Sequence, residues 1–322
     1  MSGGWGAAGL CAAMAAGACL SGACGQDRSE ERRRVASGAG GARRAPEVPW
    51  ELVYEQVVAG NLDLYLVPAA GGPARRLTTH PRADLHARWM PDGRHIVFTS
   101  DRTVNPQLFV LSVDGGEPRR LRRNDGDESQ SDPSPDGRRL AFLSTHEGPQ
   151  RLLVMDLAGG AVTEIVRHGE RTILGNPHWS PDGSRIAFSS NWRRGHQIYW
   201  VDVVTREVRR VSPGASGGCE PRFSRDGRRV AYVSRGPLRP GSRLVERDLE
   251  TGGERVLVDW PALNYHVAYS PDGAEVAFTS DITGEAAIYR QRLSDGRAWR
   301  VTFGGGAARY PDYRPVLPEA GR

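Results

Sequence analysis

Six positions in this 322-residue chain place a hydrogen-bonding side chain at one fixed distance from a recurring turn. They are His86, Gln130, Asn176, Glu220, His266 and Tyr310, each five residues ahead of Pro91, Pro135, Pro181, Arg225, Pro271 and Pro315 in turn. Two imidazoles and a carboxylate, His86, His266 and Glu220, form a minimal ligand set for a divalent cation at a shared axis, provided that a fold draws them together. Taken as six, the residues form a set of donors and acceptors suited to a peptide or small polar ligand. The competing structural reading is that they satisfy one another and ordered water.

The turns themselves carry a second recurring acid. Asp92, Asp136, Asp182, Asp226 and Asp272 stand 44, 46, 44 and 46 residues apart, each followed by glycine and all but Asp226 preceded by proline. Proline presets φ at the second turn position and glycine supplies the positive φ of a tight hairpin, so these aspartates are expected to be turn residues rather than catalytic acids. Asp101, Asn191 and Asp281, in loops after the following strand, are expected to cap hairpins in the same way.

A period near 45 residues without helical patterning is the signature of a β-propeller with one four-stranded blade per repeat. Each turn precedes a strand with an aromatic at its third position: Phe98, Phe142, Phe188, Tyr232 and Phe278. Such a side chain is expected to fill the gap to the next blade. The strand ahead of each turn also carries an aromatic, Trp89, Trp179, Phe223 or Tyr269, with Pro133 the exception. This should be the innermost strand, so that the six polar residues converge on the mouth of the central channel.

The segment from Glu51 to Thr78 supplies three strands of a blade whose first strand is missing, and Pro311 to Pro315 matches that strand at the other end of the chain. The expected fold is therefore all-β, a six-bladed propeller of four-stranded antiparallel blades. Its ring should be closed by the C-terminal strand pairing with the N-terminal blade, removing exposed sheet edges. Residues 50–318 form this one domain, behind a leader at 1–24 and a disordered tether at 25–49 rich in Arg and Gly.

The leader has no charged residue and is built mainly of Ala and Gly, as an export signal with a weak apolar core would be. Cys24, or alternatively Cys19, stands in an imperfect lipobox, which predicts a lipid-anchored or soluble periplasmic protein. With cleavage before Cys24, Cys219 would be the only other cysteine remaining, too few to read the redox compartment. All 43 basic residues are Arg and the net charge is +5, too mild and too scattered for nucleic-acid binding. A monomer is expected. No residues remain for a separate α/β catalytic domain, so any chemistry must come from the propeller axis.

The repeat His/Asn-x-x-aromatic-Ser-Pro-Asp-Gly, followed by an Ile/Val-Ala-Phe-x-Ser strand, resembles the TolB-type propeller repeat over residues 51–316. It lacks the Trp-Asp dipeptide of WD repeats. The resemblance implies an exported, non-enzymatic propeller that holds a protein or peptide partner in the channel mouth, without a cofactor. By match to the inner strands, His86, Gln130, Asn176, Glu220, His266 and Tyr310 would contact the partner. TolB carries an α/β domain ahead of its propeller, where this chain is expected to have a tether. A weaker resemblance, covering only the two histidines, is to propeller lyases of oligogalacturonides, and it implies the alternative of a carbohydrate-active enzyme with an axial metal.

Overall fold

The computed structural model describes residues 30, 32–35, 46–193, 195–213, 217–235 and 241–316. Each repeating turn is held by its own side chains. At Ser180-Pro181-Asp182-Gly183 the Ser180 hydroxyl donates to Asp182 Oδ1 at 2.5 Å, and the same carboxylate oxygen accepts from the Ser184 N–H at 3.0 Å. Gly183 takes φ +70°, where an L side chain is strained. The serine-to-aspartate bond recurs at Asp136, Asp226 and Asp272 over 2.5, 2.5 and 2.6 Å. All five aspartates are exposed. Bonds from the serine hydroxyl and the backbone hold the Asp136 and Asp226 carboxyls below the usual range. They are turn residues, as expected.

Six four-stranded antiparallel sheets follow. The innermost strands of blades one to five are Asp84–Trp89, Glu128–Pro133, Leu174–Trp179, Gly217–Phe223 and Asn264–Tyr269. In blade six the innermost strand is the C-terminal Ala308–Tyr313, which pairs antiparallel with Glu51–Val58, Leu52 opposite Tyr313 and Gln56 opposite Ala308. Beyond the sheet pairing, the Arg314 guanidinium donates to Glu51 Oε2 at 2.5 Å across the same seam. The expected closure is present. Outer strands such as Arg119–Arg120 and Arg75–Arg76 are only two residues long. Short arginine-bearing edges leave little template for pairing with another chain.

The third-position aromatics fill the junctions between blades. Phe188 clusters with Ala141, Leu143 and Leu152 of blade two, and Tyr232 with Ala187 and Ile198 of blade three. Phe98, Phe142, Phe188 and Phe278 are fully buried, each worth about 1.5–3 kcal/mol of transfer free energy. Tyr54 does this work in the composite blade, packing on Ala268, Ala277 and Ile288 of blade five.

The leader at 1–24, with Cys19 and Cys24, lies outside the described residues. Of the stretch 25–49, the described parts rest on the propeller. Arg32 Nη2 donates to the Asp281 carbonyl at 2.8 Å, Val35 packs against the core between blades four and five, and the Pro46 carbonyl accepts from the buried Arg290 at 3.0 Å. No helix among the described residues is long and apolar enough to cross a membrane.

Candidate functional site

Each innermost strand is interrupted by a β-bulge. In blade one Leu85 pairs with Thr99 and Arg88 with Val97, so that His86 and Ala87 together face Phe98. The same slip falls between Ser129 and Asp132, Gly175 and His178, Cys219 and Arg222, and Tyr265 and Ala268. Blade six slips between Val53 and Glu55 on the partner strand.

The first bulge residue has a positive φ in every blade: His86 55°, Gln130 51°, Asn176 50°, Glu220 60°, His266 55° and Tyr310 62°. That conformation costs an L-residue about 1–2 kcal/mol, and glycine adopts it without penalty. None of the six is glycine. The residues picked out by spacing from the turn are therefore the residues held in a strained backbone, and strain at a repeated position is an observation from which a functional role can be argued.

The bulge frees a backbone N–H, and in five blades the preceding blade catches it. His86 N–H donates to Glu55 Oε1 at 2.5 Å, Gln130 N–H to Thr99 Oγ1 at 3.2 Å and Tyr310 N–H to Thr279 Oγ1 at 3.3 Å. Asn176 N–H uses Gln130 Oε1 at 2.7 Å, and His266 N–H uses Glu220 Oε2 at 2.7 Å. Two members of the ring thus serve as acceptors for the next blade, in line with the structural reading of their polarity.

Three of the other five side chains, Asn176, His86 and His266, meet Tyr310 directly. Its hydroxyl crosses from blade six to donate to Asn176 Oδ1 of blade three at 2.7 Å. Its ring lies 4.9 Å from the His86 ring and 4.5 Å from the His266 ring, with the Arg88 guanidinium 4.3 Å from its centroid. His266 Nε2 in turn lies 3.2 Å from Glu220 Oε1. The phenol bars the axis, so the ring is a floor rather than an open pore.

Burial and neighbours set the charges. Burial lowers the His86 imidazole to about 4 and raises the Tyr310 phenol to about 12. Burial alone would raise the Glu220 carboxyl, but His266 outweighs it and holds the group below its ordinary range. His86 Nδ1 is buried without a hydrogen-bond partner among the described residues.

A second layer, two residues further along each strand, was missed by sequence reasoning. It comprises Arg88, Asp132, His178, Arg222 and Asp312, with Ala268 in blade five. Trp89 N–H donates to Asp312 Oδ2 at 3.0 Å, Trp179 N–H to Asp132 Oδ2 at 2.8 Å, and Phe223 N–H to His178 Nδ1 at 3.1 Å. Asp132 also lies 3.7 Å from Arg88 Nε and 3.8 Å from Arg222 Nη1. Burial, opposed by Arg88, pushes the Asp132 carboxyl up to about 7, and burial lowers His178 to about 3. The signal was available: a polar or charged residue three ahead of the turn in five of six repeats.

The metal reading finds no convergence. Among the described residues no group of three His, Cys, Asp or Glu side chains is placed to hold a metal ion, and the Tyr310 ring stands between His86 and His266. By letters alone Gly214-Ala215-Ser216-Gly217-Gly218 matches the hydrolase elbow pattern. An elbow sits between a strand and a following helix, whereas Gly217 opens the strand Gly217–Phe223.

Comparison with known proteins agrees with this architecture. The sequence pattern of the TolB beta propeller domain family matches residues 28–133 and 130–262. Dipeptidyl-peptidase 5 of Porphyromonas gingivalis is 29% identical over 141 residues, 39% of this chain and 20% of the peptidase. The Tol-Pal system protein TolB of Bordetella pertussis is 49% identical over 45 residues, 14% of this chain and 10% of TolB. The matched stretches thus span a fifth or less of those relatives. The crystal structure of TolB from Acinetobacter baumannii superimposes with a TM-score of 0.74 at 20% identity, covering 84% of this chain and 68% of that one, a likeness of fold alone.

Proposed function

This chain belongs to the TolB beta propeller domain family, and on that premise we propose that it is a non-enzymatic binding module, exported to the cell envelope, that receives a peptide or protein segment at the channel mouth. The reading is carried by one observation. Six non-glycine residues, His86, Gln130, Asn176, Glu220, His266 and Tyr310, hold a left-handed backbone that glycine would adopt without penalty.

Rigid bulges aim these side chains at one axis, which limits the ordering cost of binding. The phenol and its two imidazoles form an amphipathic platform, and the Glu220–His266 pair beside it offers charge to an incoming backbone or side chain. The module acts as a monomer, needs no cofactor and does not bind nucleic acid. Attachment to the membrane is assigned to a lipid on Cys24, or alternatively on Cys19.

Capture of envelope proteins on the immobilised propeller tests the reading, with His86→Ala/His266→Ala and Glu220→Gln as comparisons. Loss of a captured partner in both variants, with unchanged thermal unfolding, is the expected result. Identical capture by all three proteins would sink it. Cys24→Ser should release the protein from the membrane fraction, and unchanged attachment of that variant would remove Cys24 as the anchor.

A further inference from the structure

Three of the six blade junctions share one construction, an inner-strand aromatic side chain under an arginine. At the junction of blades six and one, Trp89 is buried among Val53, Leu66 and Leu111. At that of blades two and three, Trp179 fills the gap and Arg139 lies 4.5 Å above its ring, its Nη2 donating to the Gly183 carbonyl of the next turn at 3.2 Å. Arg185 over Phe223 and Arg314 over Trp89 repeat that roof.

Between blades one and two both parts are missing. Pro133 occupies the aromatic position, and the roofing arginine is replaced by His95, which is held at 2.6 Å by Asp92. Proline also removes the N–H that the preceding blade accepts from Trp89, Trp179 and Phe223. The side chain in the accepting position is here Arg88, which has no acceptor to offer.

A cleft of about 500 Å³ lies at this junction, within the size range of small-molecule sites. Its walls include Val97, Val110 and Met155, the counterparts of Val53, Leu66 and Leu111 that wrap Trp89. Three carboxylates stand on its rim, Asp92, Glu117 and Asp156, against one guanidinium, Arg119, and the His95 imidazole.

We propose that this cleft is a binding site for a small aromatic cation, whose ring takes the place of the missing tryptophan and whose positive arm takes that of the missing arginine. The cleft walls are apolar and include two thioethers, Met90 and Met155, which favour contact with an aromatic ring. The surplus of carboxylate on the rim favours a cationic arm over an anionic one. The site lies at the blade junction and is independent of the channel mouth.

Titration calorimetry with tryptamine and with indole-3-acetate tests the assignment. One tryptamine per chain is expected, with indole-3-acetate weaker by about tenfold or more. Leu121→Trp fills the cleft from the outer wall and should weaken tryptamine by about tenfold, as should Pro133→Trp. The outer variant decides if the inner one fails to fold against Arg88. Glu117→Lys should weaken tryptamine and spare indole-3-acetate. Equal affinity for the two indoles, tryptamine binding untouched by Leu121→Trp, or no tryptamine binding at millimolar concentration would each overturn the proposal.

Discussion

Two sets of polar residues repeat with the same period, the turn aspartates and the axial residues, and they are used in opposite ways. Asp136, Asp182 and Asp226 spend their oxygens on the serine two residues before them and on the backbone just after, in water. Asp132, His178 and Asp312 reach into the next blade to take an aromatic residue's N–H, away from water. The exposed carboxyls are held low and the buried Asp132 is pushed high. Recurrence alone therefore does not separate scaffold from site. The span of the hydrogen bonds does: local bonds build a turn, and bonds between blades fix the axis on which the ring stands.

The largest break in this contrast is expected from Asp132→Ala. It strips the acceptor from the Trp179 N–H and leaves Arg88 and Arg222 buried without their nearest carboxylate. Removing one partner of a buried charge cluster costs about 3–5 kcal/mol. Asp182→Ala at the turn should cost about 1 kcal/mol, the ordinary net worth of an exposed local bond. Urea unfolding of the two variants checks the ratio, and equal losses would end the distinction.

Acid stability comes next. Burial, helped by the charges of Arg88 and Arg225, lowers the His178 imidazole to about 3, and in the folded state its neutral Nδ1 accepts the Phe223 N–H. The unfolded chain takes up this proton near pH 6.5, hence the stability present above that pH is lost as pH falls, by about 1.4 kcal/mol per unit. His86, lowered to about 4, acts in the same direction. Asp132, raised to about 7, acts in the other, because the folded state protonates it first and gains as pH falls from about 7 towards about 4. Glu128, which burial also raises to about 7, acts with Asp132, so two histidines and two carboxyls largely offset one another between about pH 6.5 and 4.5. His178→Asn removes one histidine from that balance and should shift the slope towards gain on acidification by about 1.4 kcal/mol per unit, and an unchanged slope would show that His178 does not carry its share.

Most of the scaffold was legible because its determinants are local. The turn needs Ser, Pro, Asp and Gly within four residues, and the blade core needs an aromatic such as Phe188 five residues after Gly183, so both leave marks at fixed spacing. The closure of Ala308–Tyr313 on Glu51–Val58 was legible for the same reason: each end is a partial copy of a repeat. The axial ring was legible as a set of positions, but neither its strain nor its closure by Tyr310 was. A positive φ at a non-glycine residue leaves no mark in composition, and the bond from Tyr310 to Asn176 joins residues of opposite blades. The charged layer around Asp132 was overlooked because its residue types alternate in sign and pair across blades instead of repeating one motif.

Smaller in stability, and more telling about the ring, is Tyr310→Phe. The hydroxyl donates across the axis to Asn176 Oδ1 and also meets the Arg88 guanidinium, and losing the first bond leaves a buried amide oxygen without that donor, a cost of about 1–2 kcal/mol. The ring contacts with His86 and His266 and the Arg88 stack are retained, so the floor should stay in place.

His86→Gly should come last, near zero. Glycine relieves about 1 kcal/mol of left-handed strain at φ 55° but gives up the packing of the imidazole on Tyr310, which is of similar size. His86 Nδ1 has no hydrogen-bond partner among the described residues to lose, and the backbone N–H to Glu55 remains. If this position is kept for its side chain and not for the fold, the variant should unfold within about 1 kcal/mol of the parent and still lose the partner. A stability loss of about 3 kcal/mol or more would instead mark His86 as part of the core and detach blade one from the ring.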